Sequence, residues 1–100
     1  SHGERRLLEL ALAIATNPRL LLLDEPLAGA GAEESLHITS IIREFKSQHA
    51  TLLIEHDMDA VFKLADRITV LVEGKTIASG TPDEISNNSV VRNAYLGDGD

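Results

Sequence analysis

The sequence predicts an α/β fold in which short parallel strands are joined by crossover helices and followed by a β-hairpin and short helices. Two short apolar runs, at residues 20–24 and 51–54, alternate with segments whose apolar residues recur at helical spacing, and this order is typical of a parallel sheet. After residue 66 the pattern changes to two β-rich segments separated by a Glu-Gly pair, which is typical of a hairpin. A length of 100 residues allows one domain at most.

The first helix is predicted at residues 4–16. Its apolar stripe is so wide that we expect most of the helix surface to be buried. The stripe consists of Leu7, Leu8, Leu10, Ala11, Leu12, Ile14 and Ala15. Pro18 ends the helix, because the residue before a proline avoids the α conformation. The run Leu20–Asp24 has the length and apolarity of a strand buried on both faces in a parallel sheet.

A loop, a second helix and a second strand follow. Pro26 and the small residues after it predict the loop. The helix predicted at 32–47 carries Glu33 and Glu34 in its first turn, where acidic side chains interact favourably with the helix dipole. Its apolar face consists of Ile38, Ile41, Ile42 and Phe45. The second strand is predicted at 51–54 because of its apolar run.

The remaining elements are a third helix, two hairpin strands and two short helices. The third helix and the strands are predicted at residues 57–65, 67–72 and 75–79. Thr81 and Glu84 have the spacing of a capping box, and Pro82 suits the first position of a short helix. The last helix is predicted at about 89–96 and ends at Gly97.

Composition excludes several classes of protein. Lys and Arg total 9 against 16 Asp and Glu, and the net charge of -7 argues against a protein that binds nucleic-acid phosphates. The absence of Cys excludes disulfides and thiolate metal sites. The longest apolar run, at residues 20–23, is too short to cross a bilayer. No signal-peptide pattern is visible at the N-terminus, so the cytoplasm is the expected compartment.

Two acidic residues, Asp24 and Glu25, stand at the C-terminal end of the first predicted strand. Consecutive side chains of a strand point to opposite sides, so the two can take separate roles at the sheet edge where α/β proteins bind ligands. The first can hold a hydrated Mg²⁺, and the second can orient or deprotonate an attacking water. The alternative is that both only solubilise the strand end.

A histidine and a helix start are further candidates. His56 follows the second predicted strand and lies beside Glu25 if the two strands are neighbours. A neutral imidazole there can contact a phosphate oxygen or a water. The alternative is a residue at a helix start, with Asp57 as the N-cap. The Ser-His-Gly-Glu segment at residues 1–4 is either a phosphate-binding helix N-terminus or an ordinary capping box.

The Gly74-Lys75-Thr76 segment is similar to the end of a G-x-x-x-x-G-K-[ST] phosphate-binding loop. The first Gly of that motif would have to stand at position 69, where this sequence has Thr69. The motif also requires a strand, a loop and a helix, whereas this segment lies in a predicted hairpin. We therefore do not expect it to bind nucleotide.

The joint pattern resembles the ATP-binding cassette (ABC) ATPases. The matching segments are the signature motif without its first Leu at residues 1–4, the Walker B strand at 20–25, the D-loop at 27–31 and the switch histidine at His56. The resemblance implies a partial P-loop NTPase fold without the Walker A strand. It also implies that residues 1–100 form the C-terminal part of one nucleotide-binding domain.

The resemblance also implies roles for these residues in an intact protein that hydrolyses ATP with Mg²⁺. It implies that Asp24 orders Mg²⁺ through water, that Glu25 is the catalytic base and that His56 contacts the γ-phosphate. The residues implied to bind the ATP of a partner subunit are Ser1, His2, Gly3 and Glu4. Those implied at the subunit interface are Ala28, Gly29, Ala30 and Gly31.

Four segments are similar to the ATPase of branched-chain amino-acid importers. They are Ala-Thr-Asn-Pro at 15–18, Glu-Pro-Leu-Ala-Gly at 25–29, Glu-His-Asp-Met at 55–58 and Tyr-Leu-Gly at 95–97. The resemblance implies two kinds of partner, a second ATP-binding subunit and integral-membrane permease subunits. It implies a peripheral location on the inner face of the cell membrane, without insertion into the membrane and without nucleic acid as a partner.

Three departures from the family pattern concern contacts between subunits. His2 stands where the signature commonly has Gly, and Glu4 stands where it has Gln. Residues 30–31 are Ala-Gly, without the usual Asp at the end of the D-loop. The departures at His2 and in the D-loop bear on the details of the cross-subunit contact that the resemblance implies.

A missing motif leads to two further expectations. The sequence contains no G-x-x-x-x-G-K-[ST], so we expect the chain alone neither to bind ATP tightly nor to hydrolyse it. In the family, the phosphate-loop strand lies between the strands that correspond to residues 51–54 and 67–72. We therefore expect these two strands to pair directly, or another chain to fill the gap.

Several alternatives stay open. Within the family they are urea import, lipopolysaccharide export, and a non-transport ATPase of DNA repair or chromosome maintenance, which the acidic composition disfavours. Outside it, the chain is an interaction module in which the acidic pair and the histidine are incidental. A carboxylate and histidine metal hydrolase would use Asp24, Glu25, His56 and Asp57.

Overall fold

The computed structural model describes residues 2–96, and the chain divides into two compact units. The first unit is residues 1–60 and the second is residues 61–100. The observed elements confirm the predicted α/β class, with a parallel pair of strands and crossover helix followed by a hairpin and short helices.

The first unit is built on a parallel pair of strands. Its elements are α1 (His2–Ala15), β1 (Leu20–Asp24), α2 (Ala32–Lys46), β2 (Ala50–Ile54) and the first residues of α3 (Met58–Leu64). The pairing runs without a shift from Leu20 opposite Ala50 to Asp24 opposite Ile54. Helix α2 connects the two strands, as a parallel pair requires. The largest buried apolar side chains of this unit are Leu10, Leu21, Ile38, Ile42 and Phe45.

Burial in the first unit is one-sided, and the expectation of a strand buried on both faces is wrong. Leu21 is 5% exposed, whereas its neighbour Leu22 is 65% exposed. The same face of the sheet also exposes Leu20, Leu52 and Ile54. We call Leu20, Leu22, Leu52 and Ile54 the open face. The sequence pattern predicted a sheet with cover on both sides, but a two-stranded sheet in residues 2–60 buries only one of them.

Helix α1 is also buried less than its sequence predicts, because little of the described chain covers it. Leu8 and Leu12 are exposed, so the predicted burial of most of the helix surface is wrong. The buried residues of α1 are Gly3 and Leu10. A wide apolar stripe shows what a helix is able to bury, but the surface that covers it has to come from elsewhere in the fold.

The second unit is a hairpin with short helices. Its strands, β3 (Ile68–Val72) and β4 (Lys75–Gly80), pair antiparallel. Glu73 and Gly74 form the turn with φ values of 50° and 77°, the left-handed geometry that a two-residue hairpin turn favours. The Gly-Lys-Thr segment lies in this hairpin, so it lacks the strand, loop and helix setting of a phosphate-binding loop.

The capping box of α4 (Pro82–Ser86) is confirmed. The Thr81 hydroxyl accepts a hydrogen bond from Glu84 N–H at 3.2 Å, and the Glu84 carboxylate accepts one from Thr81 N–H at 2.8 Å. These hydrogen bonds to Thr81 lower the pKa of Glu84 from its ordinary value. The helix thereby satisfies two of its free N-terminal N–H groups.

The chain after α4 differs from the predicted single helix. Residues Ser89–Val91 form one α-helical turn, α5, and Arg92–Leu96 continue as a π-helix. The Tyr95 hydroxyl donates a hydrogen bond to the Leu71 carbonyl of β3. The π-helical segment thus contains the residue that bonds to the hairpin. Ile68, Ile85 and Val91 form the buried cluster of the unit, and the expected end at Gly97 lies outside the described residues.

Of the two alternatives expected for residues 51–54 and 67–72, direct pairing does not occur among the described residues, and filling of the gap by another chain stays a prediction. Strands β1 and β2 form one two-stranded sheet, and β3 and β4 form another. In the part of the chain that the structure describes, β2 therefore has β1 as its strand partner, and β3 has β4.

One-sided burial predicts that two neighbouring leucines differ sharply in their effect on stability. We expect Leu21→Ala to lower the free energy of unfolding by about 2–4 kcal/mol, because it leaves a cavity under the sheet. Leu22→Ala, the matched control on the open face, should change it by less than about 0.5 kcal/mol. Urea denaturation followed by circular dichroism measures both. Equal losses for the two variants would show that Leu22 is also buried in solution.

Candidate functional site

The C-terminal ends of β1 and β2 meet at one edge of their sheet. Asp24 lies opposite Ile54 in the register, and Glu25 N–H donates to the Ile54 carbonyl at 2.7 Å, which continues the ladder by one residue. The residues that follow the two strands are therefore brought together. Asp24 ends β1 and Glu25 follows it, while His56 lies two residues after the end of β2.

The side chains of Glu25 and His56 are in direct contact, as the sequence led us to expect. His56 Nδ1 lies 2.5 Å from Glu25 Oε1. An ionised carboxylate only accepts hydrogen bonds, so the ring carries its proton on Nδ1 and donates it to Glu25. The ring is 77% exposed and the carboxyl side chain 46% exposed. The pair therefore faces solvent, with the second ring nitrogen left for another partner.

Glu25 occupies a strained backbone conformation. Its φ is 47°, in the left-handed region that residues other than glycine seldom adopt. Hydrogen bonds on both sides hold it there: Glu25 N–H donates to Ile54, and the Glu25 carbonyl accepts from Ala28 N–H at 3.1 Å. Pro26, the next residue, is buried. Strain of this kind persists only where surrounding structure determines it, and it clusters at functional sites.

A third acidic side chain, Glu55, lies next to Glu25 and His56 and is more buried than either. It was not among the predicted site residues. Its side chain is 2% exposed. The carboxylate accepts from His56 N–H at 3.0 Å, from Asp57 N–H at 3.4 Å and from Leu27 N–H at 3.4 Å. Its neighbour Ile54 is exposed. Alternation along β2 was the sequence signal that could have placed Glu55 on the buried side. Hydropathy pointed the other way, because it favours burial of Ile54 over burial of Glu55.

Glu25, Glu55 and His56 bring one ligand atom each to within 4.8 Å of one another. In this arrangement the ring nitrogen and the Glu25 oxygen, 2.5 Å apart, are closer than two ligands of one metal ion, which stand about 3 Å apart. A shared proton fits between them. The Glu55 oxygens accept backbone hydrogen bonds. The three residues can hold a divalent ion only after the ring moves.

Asp57 has the helix-capping role that was the alternative for this segment. Its Oδ1 accepts a hydrogen bond from Ala60 N–H at 3.2 Å, at the start of α3. A capping carboxylate compensates for the free N–H groups of a helix start. Asp57 is not among the residues whose ligand atoms cluster with His56, which are Glu25 and Glu55.

Asp24, the last residue of β1, is the other acidic residue predicted for this site. It is exposed at the end of β1, on the rim of a cleft of about 210 Å³ that Arg6 and Glu9 of α1 also line. An exposed carboxylate suits Mg²⁺, a hard cation that keeps several of its waters. The assignment of Mg²⁺ to Asp24 stays a prediction.

The N-terminal segment packs on the loop after β1. A Cβ on Gly3 would meet the carboxylate end of the Glu34 side chain, so a larger residue here would displace that side chain where α1 meets the start of α2. His2 lies against Gly29, where an added Cβ would stand 3.1 Å from the His2 Cβ. Glu4 is exposed. Ser1, the first residue of the predicted signature, lies outside the described residues.

The loop itself connects these two regions. Ala28 and Gly29 are exposed and Ala30 is half-buried. Gly31 N–H donates to Glu34 Oε1 at 3.0 Å as α2 begins. Leu27, at the other end of the loop, donates to Glu55. One short segment therefore contacts both the helix start at His2 and the carboxylate under His56.

Comparisons with known families and proteins converge on one class. A model described as ABC transporter matches residues 1–28, and one described as branched-chain amino acid ATP-binding cassette transporter matches residues 75–100. The chain is 45% identical over 100 residues to the high-affinity branched-chain amino acid transport ATP-binding protein LivG of Salmonella typhimurium, covering 98% of this chain and 39% of that protein.

Further relatives and solved structures agree. BraF of Pseudomonas aeruginosa, also a high-affinity branched-chain amino acid transport ATP-binding protein, is 42% identical, with 98% of this chain and 39% of that protein covered. The lipopolysaccharide export system ATP-binding protein LptB of Acidithiobacillus ferridurans is 39% identical, with 98% and 41% covered. A nucleotide-free ATP-binding cassette from an ABC transporter superposes with a TM-score of 0.81 at 30% identity, with 98% of this chain and 41% of that chain covered. The chain thus spans about two fifths of the length of these proteins.

The left-handed backbone at position 25 predicts an unusual order of stability. Glu25→Gly and Glu25→Ala both remove the carboxylate, but only glycine adopts this conformation without strain. We expect the glycine variant to be more stable than the alanine variant by about 1 kcal/mol. Urea unfolding of the two proteins measures the difference. An alanine variant as stable as the glycine variant would mean that residue 25 does not keep this backbone in solution.

Proposed function

Because the chain belongs to the ABC transporter ATP-binding proteins, we propose that it supplies the water-activating and nucleotide-positioning groups of an ATP-hydrolysing subunit. The observation that carries the proposal is the contact between Glu25 and His56 at the carboxyl end of a parallel strand pair. In α/β folds this edge is where ligands bind. Residues 1–100 act, in this proposal, as the C-terminal part of one nucleotide-binding domain.

Glu25 is the proposed general base. Its carboxylate is 46% exposed, so water reaches it, and a base has to lie within hydrogen-bond reach of the proton that it takes. The attacking water lies between this carboxylate and the γ-phosphate of ATP, in line with the bond that breaks. Hydrogen bonding from His56 holds the carboxylate in one orientation. The base is thus positioned before the substrate arrives.

His56 and Asp24 have complementary proposed roles. Because Nδ1 of the His56 ring is hydrogen-bonded to Glu25, Nε2 is the atom proposed to contact the γ-phosphate, and it donates to a phosphate oxygen when it also carries a proton. Asp24 would hold Mg²⁺ through water, and Mg²⁺ neutralises charge on the phosphate oxygens. Phosphoryl transfer needs mainly positioning and charge stabilisation, which a small set of side chains provides.

Residues at the start of α1 are proposed to bind the ATP of a second subunit. A helix N-terminus presents free N–H groups to an anion. The residues of this proposal are Ser1, His2, Gly3 and Glu4. The loop residues Ala28, Gly29, Ala30 and Gly31 are proposed to lie at the interface with that subunit. The packing of His2 on Gly29 supports a common surface for the two segments.

We propose import of branched-chain or related amino acids as the transport process. The 45% identity to LivG supports this choice, and the 39% identity to LptB keeps lipopolysaccharide export as the second candidate. The proposed partners are a second ATP-binding subunit and the integral-membrane permease subunits. The proposed location is the cytoplasmic face of the cell membrane, held through the permease.

No helix among residues 2–96 combines the length and apolarity that a membrane span needs.

A substitution of the proposed base tests the function. In a complete ATP-binding subunit that contains this sequence, we expect Glu25→Gln to reduce ATP turnover by at least about a hundredfold, because general bases contribute about 10²–10⁴. ATP binding should stay intact, since the amide keeps the size of the side chain. Steady-state phosphate release and nucleotide titration measure the two quantities.

Glu44→Gln is the matched control, because Glu44 is exposed on α2 outside the site. It should leave turnover unchanged. Near-normal turnover of the Glu25 variant would remove Glu25 from the role of base.

The 100-residue chain by itself is expected to show no micromolar affinity for Mg-ATP in a calorimetric titration. The phosphate groups of ATP are held in P-loop proteins by a G-x-x-x-x-G-K-[ST] loop, which this sequence does not contain. The complete subunit, titrated in the same buffer, is the positive control. Micromolar binding by the chain alone would overturn the assignment of the main phosphate contacts to the rest of the subunit.

A further inference from the structure

We propose that Glu55 is a positioning residue that fixes His56 and the start of the 27–31 loop in one arrangement. The role in catalysis rests on the proposed function of Glu25 and His56. The positioning itself rests only on contacts within the first unit. Nothing in the sequence pattern or in the comparisons assigns a role to this residue.

Burial is the first argument. The Glu55 side chain is 2% exposed, whereas the Glu25 side chain is 46% exposed. A buried carboxylate is costly unless hydrogen bonds replace its hydration. Glu55 meets this requirement with backbone N–H groups, and a side chain retained at such a cost specifies one local arrangement of the chain around it.

The positions of its three donors are the second argument. His56 and Asp57 follow β2, and their N–H groups bind Glu55 Oε1. Leu27 follows β1, and its N–H group binds Glu55 Oε2. The one carboxylate thus connects the segments that leave the two strands. The 3.4 Å bonds are longer than most hydrogen bonds, but a charged acceptor strengthens each of them.

The electrostatics at His56 is the third argument. Glu55 Oε1 lies 3.7 Å from His56 Nδ1, on the same ring nitrogen that donates to Glu25 at 2.5 Å. Two carboxylates at this nitrogen favour the tautomer with the proton on Nδ1. The Nε2 atom then faces away from both. Glu55 therefore helps to choose which ring nitrogen the substrate meets.

The hydrogen bond from Leu27 also couples Glu55 to the 27–31 loop. Leu27 begins the segment whose Gly29 contacts His2 and whose Gly31 N–H binds Glu34. A displacement of that segment changes the Leu27 bond to Glu55, and the same carboxylate holds the backbone of His56. The proposal is that Glu55 transmits loop position to the histidine.

A measurement on the unmodified 100-residue chain tests the contacts directly. In native-state hydrogen exchange followed by ¹H–¹⁵N NMR, the amide protons of Leu27, His56 and Asp57 should all be protected, because one buried carboxylate accepts from all three. Exchange of the Leu27 and Asp57 amides at the rate of an unprotected peptide would overturn the proposal. This experiment needs no variant, so it does not depend on whether a substituted protein folds.

Glu55→Gln is the informative variant. The amide keeps the size of the side chain, but its NH₂ group has to face one of the backbone donors. We expect amide exchange at Leu27 and Asp57 to accelerate about tenfold or more. We also expect the ¹⁵N shifts of the His56 ring to move away from the Nδ1–H tautomer. A purely structural role would leave the tautomer unchanged.

Glu84→Gln is the matched control. Glu84 also accepts a backbone N–H bond, from Thr81, but it is exposed and lies in the second unit. It should leave the His56 ring and the amides near residue 27 unaffected. Equal effects of the two substitutions on these signals would overturn the proposal.

Turnover separates this proposal from the proposed function. In a complete ATP-binding subunit, Glu55→Gln should lower kcat at least about tenfold and change KM for ATP by less than about twofold. Normal kcat with an altered His56 tautomer would refute the catalytic role of Glu55 positioning. If Glu25→Gln retains turnover while the Glu55 signatures hold, the proposed function fails and the positioning contacts stand.

Discussion

The in-register parallel pairing of β1 and β2 is the constraint on which the site depends. It ends with Asp24 opposite Ile54, and the Glu25 N–H extends it by one hydrogen bond. A slip of one residue would reverse the direction of every side chain on the slipped strand. If β1 slipped, Leu21 would leave the buried face, and Glu25 N–H would lose its hydrogen bond to Ile54. The chemistry therefore depends on a backbone ladder, which aliphatic packing on one face holds in place.

Much of this arrangement could be predicted from the sequence. The run Leu20–Asp24 is bounded by Pro18 and Pro26, and these breakers gave the strand its observed limits. Parallel pairing followed from the helix between the strands, and the contact of Glu25 with His56 followed from parallel pairing. Local signals of this kind are strong because turn residues act on their immediate neighbours.

Other features depend on tertiary packing and were beyond sequence reasoning. The pattern of Leu8, Leu12 and Leu22 indicates only that they are able to be buried, and they are exposed. At the end of β2 the polar Glu55 is buried and the apolar Ile54 is exposed, the reverse of their hydropathy. The left-handed conformation falls on Glu25, where no glycine or asparagine signals it. Backbone hydrogen bonds stabilise the burial of Glu55 and the left-handed conformation of Glu25.

The open face of β1 and β2 has a practical consequence for the purified protein. Four aliphatic side chains lie in adjacent rows on one side of the two-stranded sheet, exposed to water. Salts such as ammonium sulfate strengthen the tendency of such surfaces to leave water, so this protein should precipitate at unusually low concentrations of them.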